Sequence, residues 1–256
     1  MVDITIDAGL GSTVRRDARW FYVGMAGVFV LIAFGGFTPT YWSRLAAGSF
    51  DGAPILHIHG ALFFGWTLFF FVQTLLVARG RTLDHRAWGL AGISLATLMV
   101  CSVVLAAINS IKVAATLGMA DEARRFTIVS LGSILLFAAL FAAAIVNVKR
   151  SEIHKRLMIV AMIPLMHAAM ARVFLTLFAP PDAKGPPPVF VSVPPAFAVD
   201  LLIVAAIVFD WRTRGRPHPA YLIGGSLVQA NQLLAVPISA TAAWMAIATW
   251  VESLAG

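Results

Sequence analysis

The stretch 55–101, ILHIHGALFFGWTLFFFVQTLLVARGRTLDHRAWGLAGISLATLMVC, confines the chain to a narrow set of folds. It holds two apolar runs, 55–78 and 87–108, separated by a short basic turn, and each is long enough to cross a hydrocarbon core about 30 Å thick. Inside lipid the backbone of such a run has no water to bond to, so it closes on itself as a helix. Similar runs recur on both sides. Segments 21–37, 55–78, 87–110, 126–148, 153–178 and 196–211 read as spanning helices. The last stretch, 221–250, reads either as one tilted helix kinked at Pro237 or as a surface helix followed by a seventh span. The loop APPDAKGPPPVFVSVPP is too rich in proline to be helical, and KVAATLGMADEARR reads as a mixed-charge loop with room for a short surface helix. The expectation is an all-α polytopic transmembrane bundle of about seven spans, with a cytoplasmic tail at 1–19 and one helical domain at 20–256.

Composition supports this reading. Hydrophobic residues make up 60% and charged residues 12% of the chain, where soluble proteins carry about a quarter charged. The net charge of +7 does not point to nucleic acid, because the basic residues sit in short clusters between apolar runs and no polar module remains to bind it. Cys101 is alone in an apolar run, so neither a disulfide framework nor a cysteine metal site is available. The first 20 residues lack a secretory signal pattern, and the first helix is expected to be retained. Of the 19 Lys and Arg, Arg172 falls inside a span. Arg44, Lys112, Arg124, Arg125 and Lys184 fall on one side, and all the others on the opposite side. The bias places the N-terminus inside and requires an odd number of spans, with the C-terminus outside.

The two basic turns echo each other. LVARGRTLDHRAWGLAG and NVKRSEIHKRLMIVAM share a basic pair, a short polar step, and a histidine followed by Arg or Lys-Arg before an apolar run. The match suggests a parallel repeat of helix pairs, 55–110 and 126–178. The histidines then fall into two layers: His57, His59 and His167 in one, His85 and His154 in the other. His167 lies thirteen residues beyond His154, or about 20 Å along a helix. Two layers of imidazole on neighbouring helices are what a transmembrane haem pair needs, and Gly60, Gly65, Gly89, Gly92, Ala168, Ala169 and Ala171 leave room for a flat cofactor.

The candidate cofactor ligands are therefore His59, His167, His85 and His154, with Arg172 as a partner for a cofactor carboxylate. His57 and His59 point to different faces, so His59 is the preferred member of that pair and the expected partner of His167. A metal site of His57, His59 and His167 is the alternative. Each histidine also has a plainer reading: a polar helix start for His57 and His59, interfacial anchoring for His85 and His154, and a buried imidazole bonded to a carbonyl for His167. Arg172 and Asp200 are expected to pair, Asp210 to be interfacial, and His218 to be a solvated bystander. No zinc-protease, serine-hydrolase or phosphate-loop motif is present.

At His57 and His59, HRAWG (residues 85–89) and HKRLM (residues 154–158), the sequence resembles small bacterial polytopic proteins of uncharacterised function. These are likened to cytochrome b561-type and oxidase-assembly membrane proteins. The resemblance covers roughly 55–175 and implies a multi-pass protein of the bacterial inner membrane concerned with haem or metal. Two departures from related families matter. Cytochrome b561 spreads its haem histidines over four helices, whereas here 153–178 carries two and 126–148 none. The topology is also similar to adiponectin-receptor-type hydrolases, but nothing after His218 can bind zinc through imidazole. Three functions follow: a haem b redox protein exchanging electrons with a quinone or another membrane redox protein; a non-haem Cu, Zn or Fe site for catalysis or assembly; or an accessory subunit of a membrane complex.

Overall fold

The computed structural model describes residues 5–254, with side chains from residue 19 onward. Among the described residues every regular element is helical. Helix α1 (Thr5–Phe37) runs through a π-helical turn (Thr38–Trp42) into the short α2 (Ser43–Ala46). Then come α3 (Pro54–Ala78), α4 (Thr82–Ala115), α5 (Ala120–Val146) and α6 (Ser151–Phe178). A 3₁₀ turn (Val189–Ser192) leads into α7 (Val193–Arg214), and α8 (Pro219–Ile238) and α9 (Ala242–Ser253) complete the chain. Six helical stretches are long and apolar enough to cross a membrane, and α8 with α9 is a seventh candidate only as a pair bent by 95°. The chain is an all-α polytopic membrane bundle.

Several boundaries differ from the sequence expectation. Residues 1–4 of the expected tail lie outside the described residues, and the backbone is helical from Thr5 rather than from residue 21. The stretch 112–125 forms no separate surface helix. It is the end of α4 and the start of α5, joined around Gly118, whose φ of 73° a side chain would disfavour. The proline-rich loop turns helical from residue 189, because Pro194 and Pro195 sit in the first turn of α7, where a missing N–H costs nothing. At the C-terminus neither expected arrangement is found. The long member, α8, comes first, and α9 folds over after Thr241, whose side chain accepts from Trp244 N–H.

The basic turns mark one end of the bundle. Helix α8 starts there, at His218, and reaches the opposite end, where Ala235 packs with Ile128 of α5. Helix α9 is pinned across that opposite end: Arg124 pairs with Glu252 at 2.8 Å, and the Trp244 indole donates to the Arg124 carbonyl at 3.0 Å. Helix α6 touches α1, α5, α7 and α8 and is the most enclosed element. Small residues permit its contacts. A Cβ on Gly36 of α1 would run into the Ala169 carbonyl, and one on Gly224 of α8 into Val160. Midway along the bundle Trp66 of α3 packs edge-on against Phe137 and Phe141 and donates to Met162 Sδ at 3.2 Å. This dense layer separates the polar groups of the two halves.

Candidate functional site

The two basic turns deliver their histidines to one place. His85 is the fourth residue of α4 and His154 the fourth of α6. Their N–H groups donate to Arg81 and Arg150 carbonyls at 3.1 and 3.0 Å. In each first turn an acidic residue suits the helix dipole and pairs with a base: Asp84 with Arg81 at 2.7 Å, Glu152 with Lys155 at 2.6 Å. The two rings face across the bundle with centroids 6.4 Å apart and planes at 75°. His154 Nδ1 is 2.8 Å from the Ala144 carbonyl oxygen. Since a carbonyl only accepts, that nitrogen carries the hydrogen and leaves the Nε2 lone pair free. His85 Nδ1 is buried with no hydrogen-bond partner. Arg86, Lys149 and Arg150 form an exposed basic fringe around the pair.

Beside it lies an ion-pair cluster that sequence reasoning missed. Arg156, read as a topology charge, is 2% exposed and binds Asp210 through two bonds of 2.8 and 2.6 Å. Its third nitrogen donates to the Glu152 carbonyl and carboxylate at 2.8 and 2.7 Å. Asp210 is 0% exposed, so the expectation of an interfacial carboxylate is corrected. The signal was present in the HKR motif: Arg156 follows His154 by two residues and so faces α7 instead of the His85 side. His218 is also no bystander. Its N–H donates to Asp210 at 3.2 Å, and its Nδ1 accepts from Ala220 N–H at 3.1 Å, which caps α8. Burial, with the Arg156 and Arg214 charges adding to it, holds the His218 imidazole below its ordinary pKa.

In the opposite half the histidines do not converge. His57 Nδ1 and the Tyr41 hydroxyl are hydrogen-bonded at 2.9 Å, and the Phe50 ring lies against the imidazole. His59 Nδ1 is 3.2 Å from the Ser102 hydroxyl and its ring packs on Phe63. His167 instead faces Asp200 of α7, Nε2 to Oδ1 at 3.7 Å. No hydrogen bond or ring contact joins His59 to His167 among the described residues. No group of three or more His, Cys, Asp or Glu side chains is placed to hold a metal ion among them either.

The expected Arg172–Asp200 pair does not form. Arg172 stands over the Phe37 ring at 4.2 Å and donates to the Ala168 carbonyl at 3.1 Å. Asp200 Oδ2 accepts instead from the side-chain amides of Gln229 and Gln232 on α8. The reason is angular. Five residues along a helix is a rotation of about 140°, so His167 looks towards α7 while Arg172 looks towards α1.

Comparison with known families, curated proteins and solved structures finds no match to this chain. Its class is set by the fold and the polar groups held inside it: a multi-pass helical membrane protein with a histidine pair at its basic end.

Proposed function

We propose that this protein is a haem-binding membrane redox protein in which His85 and His154 would hold one haem b near the basic end. The 6.4 Å separation of the two imidazole centroids carries the reading. With a metal–nitrogen bond of about 2 Å and the imidazole centre roughly 1 Å behind its nitrogen, two rings on opposite sides of an iron have centres about 6 Å apart. Ring planes can take any angle about the shared axis, so 75° is compatible. The Ala144 carbonyl supplies the outer hydrogen bond that fixes the tautomer of a ligating histidine. His85 is half-buried, and its Nδ1 is enclosed without a hydrogen-bond partner, which leaves that nitrogen open to a ligand.

The surroundings favour haem over a bare metal ion. Two imidazoles give a dication too few ligands, since among the described residues no third His, Cys, Asp or Glu is placed to join them. A porphyrin brings four nitrogens of its own and carboxylates that Arg86, Lys149 and Arg150 would meet. Bound haem would supply reversible one-electron transfer, with a membrane quinol or a second membrane redox protein as the donor. We place the protein in a bacterial inner membrane with the basic end in the cytoplasm, on the strength of the Lys and Arg bias.

Haem and iron content of protein purified in detergent tests this. One haem per chain is expected. A colourless protein with stoichiometric copper, zinc or iron would favour the non-haem site, and a protein with neither would favour the accessory subunit.

A further inference from the structure

The His167–Asp200 pair is left unused by the haem pair, and it is not a finished ion pair. His167 is 7% and Asp200 5% exposed. Asp200 Oδ2 is fully engaged by the two glutamine amides, yet Oδ1 has no hydrogen-bond partner, and neither has His167 Nε2 or Gln232 Oε1. Buried polar atoms without partners are rare, and three of them together mark a place where something is received. The 3.7 Å between Oδ1 and Nε2 is too long for a direct hydrogen bond. It suits one bridging oxygen about 2.8 Å from each.

Asp200 and Gln229 also line a groove of about 480 Å³ between α7 and α8. Its walls are otherwise mainly apolar, with Phe197, Leu201, Val204, Ile207 and Leu222 among them. Leu201 and Val204 are exposed on the outside of the bundle, where lipid lies. The volume is that of a small-molecule site. A molecule arriving from the bilayer is uncharged, because an ionised head is expensive there. To satisfy Oδ1 and Oε1, both acceptors, it must donate hydrogen bonds. To fill the groove, it needs an apolar tail.

We infer that the α7–α8 groove binds a lipid-soluble quinol, with a ring hydroxyl bridging Asp200 Oδ1 and His167 Nε2 and the tail lying along the α7 wall. The choice of a quinol among lipid-soluble alcohols rests on the redox reading, whereas the binding itself does not need haem. The hydroxyl donates its one hydrogen to Asp200 Oδ1 and accepts from a His167 Nε2–H, and no electron transfer is implied by occupancy.

The test is binding of decylubiquinol, kept reduced, to the purified full chain in lipid nanodiscs. Saturable binding at one per chain is expected, with the quinone form, which lacks the donor hydroxyls, at least tenfold weaker. Asp200→Ala should weaken quinol binding at least tenfold. Ser226→Trp, which fills the groove from the exposed face without touching the buried cluster, should do the same in a protein that keeps its fold. His85→Ala should leave quinol binding unchanged even where it removes haem, which separates failure of this site from failure of the haem pair. Unsaturable partition alone, equal binding of quinol and quinone, saturable binding of dodecylamine with no quinol binding, or full binding by Ser226→Trp would each overturn the assignment.

Discussion

The two ends of the bundle differ in where some of their histidines and arginines find partners. At the basic end polar side chains reach across to other helices: His85 meets His154, and Arg156 locks onto Asp210. At the opposite end two of them settle close to home in space. His57 rests with Tyr41 and Phe50, and Arg172 covers Phe37 and bonds to a carbonyl on its own helix. The difference follows from how each residue is placed. Each basic-end histidine sits fourth in a helix that follows a basic turn, and the two rings meet across the bundle. His57, His59 and Arg172 have no such counterpart, and each takes what partner its own surroundings provide. Shared depth in a membrane does not make residues neighbours.

The comparison can be broken most severely at the buried ion pair. Asp210→Ala leaves Arg156 buried without its carboxylate and should cost about 3–5 kcal/mol, read as a lowered unfolding midpoint in detergent. The double variant Arg156→Met, Asp210→Leu should recover most of that loss. Arg172→Leu is the matched change at the opposite end. It removes a cation–π contact and one hydrogen bond, so about 1 kcal/mol or less is expected. Equal losses at the two arginines would erase the distinction between the ends.

A smaller effect sharpens the basic end. The neutral His218 ring caps α8, and burial first, then the Arg156 and Arg214 charges, oppose its protonation in the folded protein. The unfolded ring binds a proton more readily, so this contribution is complete above about pH 6.5 and is lost as pH falls through that value towards the lower folded pKa. His218→Asn keeps a capping oxygen without the titration. It should flatten the pH dependence of unfolding between about 7 and 5, while His218→Ala should cost about 1 kcal/mol at pH 8. The smallest change is expected at His57→Phe, about 0.5 kcal/mol, since a half-buried hydrogen bond to Tyr41 is exchanged for ring packing. Reporter fusions near residues 19 and 254 should fall on opposite sides of the membrane, and a shared side would contradict the path of α8 along the bundle.

Much of the fold was legible because hydropathy records membrane crossing directly. The span read at 55–78 is α3 within a residue, and 153–178 is α6 within two. Hydropathy stops at the lipid boundary, however, whereas helices do not. Thr82 to Arg86 and Ala120 to Arg125 are polar yet helical, because first-turn acids suit the helix dipole there. Of the site, the common layer of His85 and His154 was readable from their depth, since both open helices at the inner side. What depth could not supply was direction around the helix axis. Arg172 and Asp200 share a half of the bundle and still face different neighbours, and the glutamines that hold Asp200 carry no signal until α8 is packed against α7.

The central claim is that the histidines at equivalent positions, and not those merely at similar depth, hold the cofactor. The absorption spectrum of purified protein before and after dithionite, taken for five single alanine variants, tests it most directly. The account predicts that His85→Ala and His154→Ala each lose the Soret and reduced alpha bands while the protein stays in the membrane, and that His57→Ala, His59→Ala and His167→Ala keep them. Bands retained without His85 or His154 and lost without His59 or His167 would contradict it.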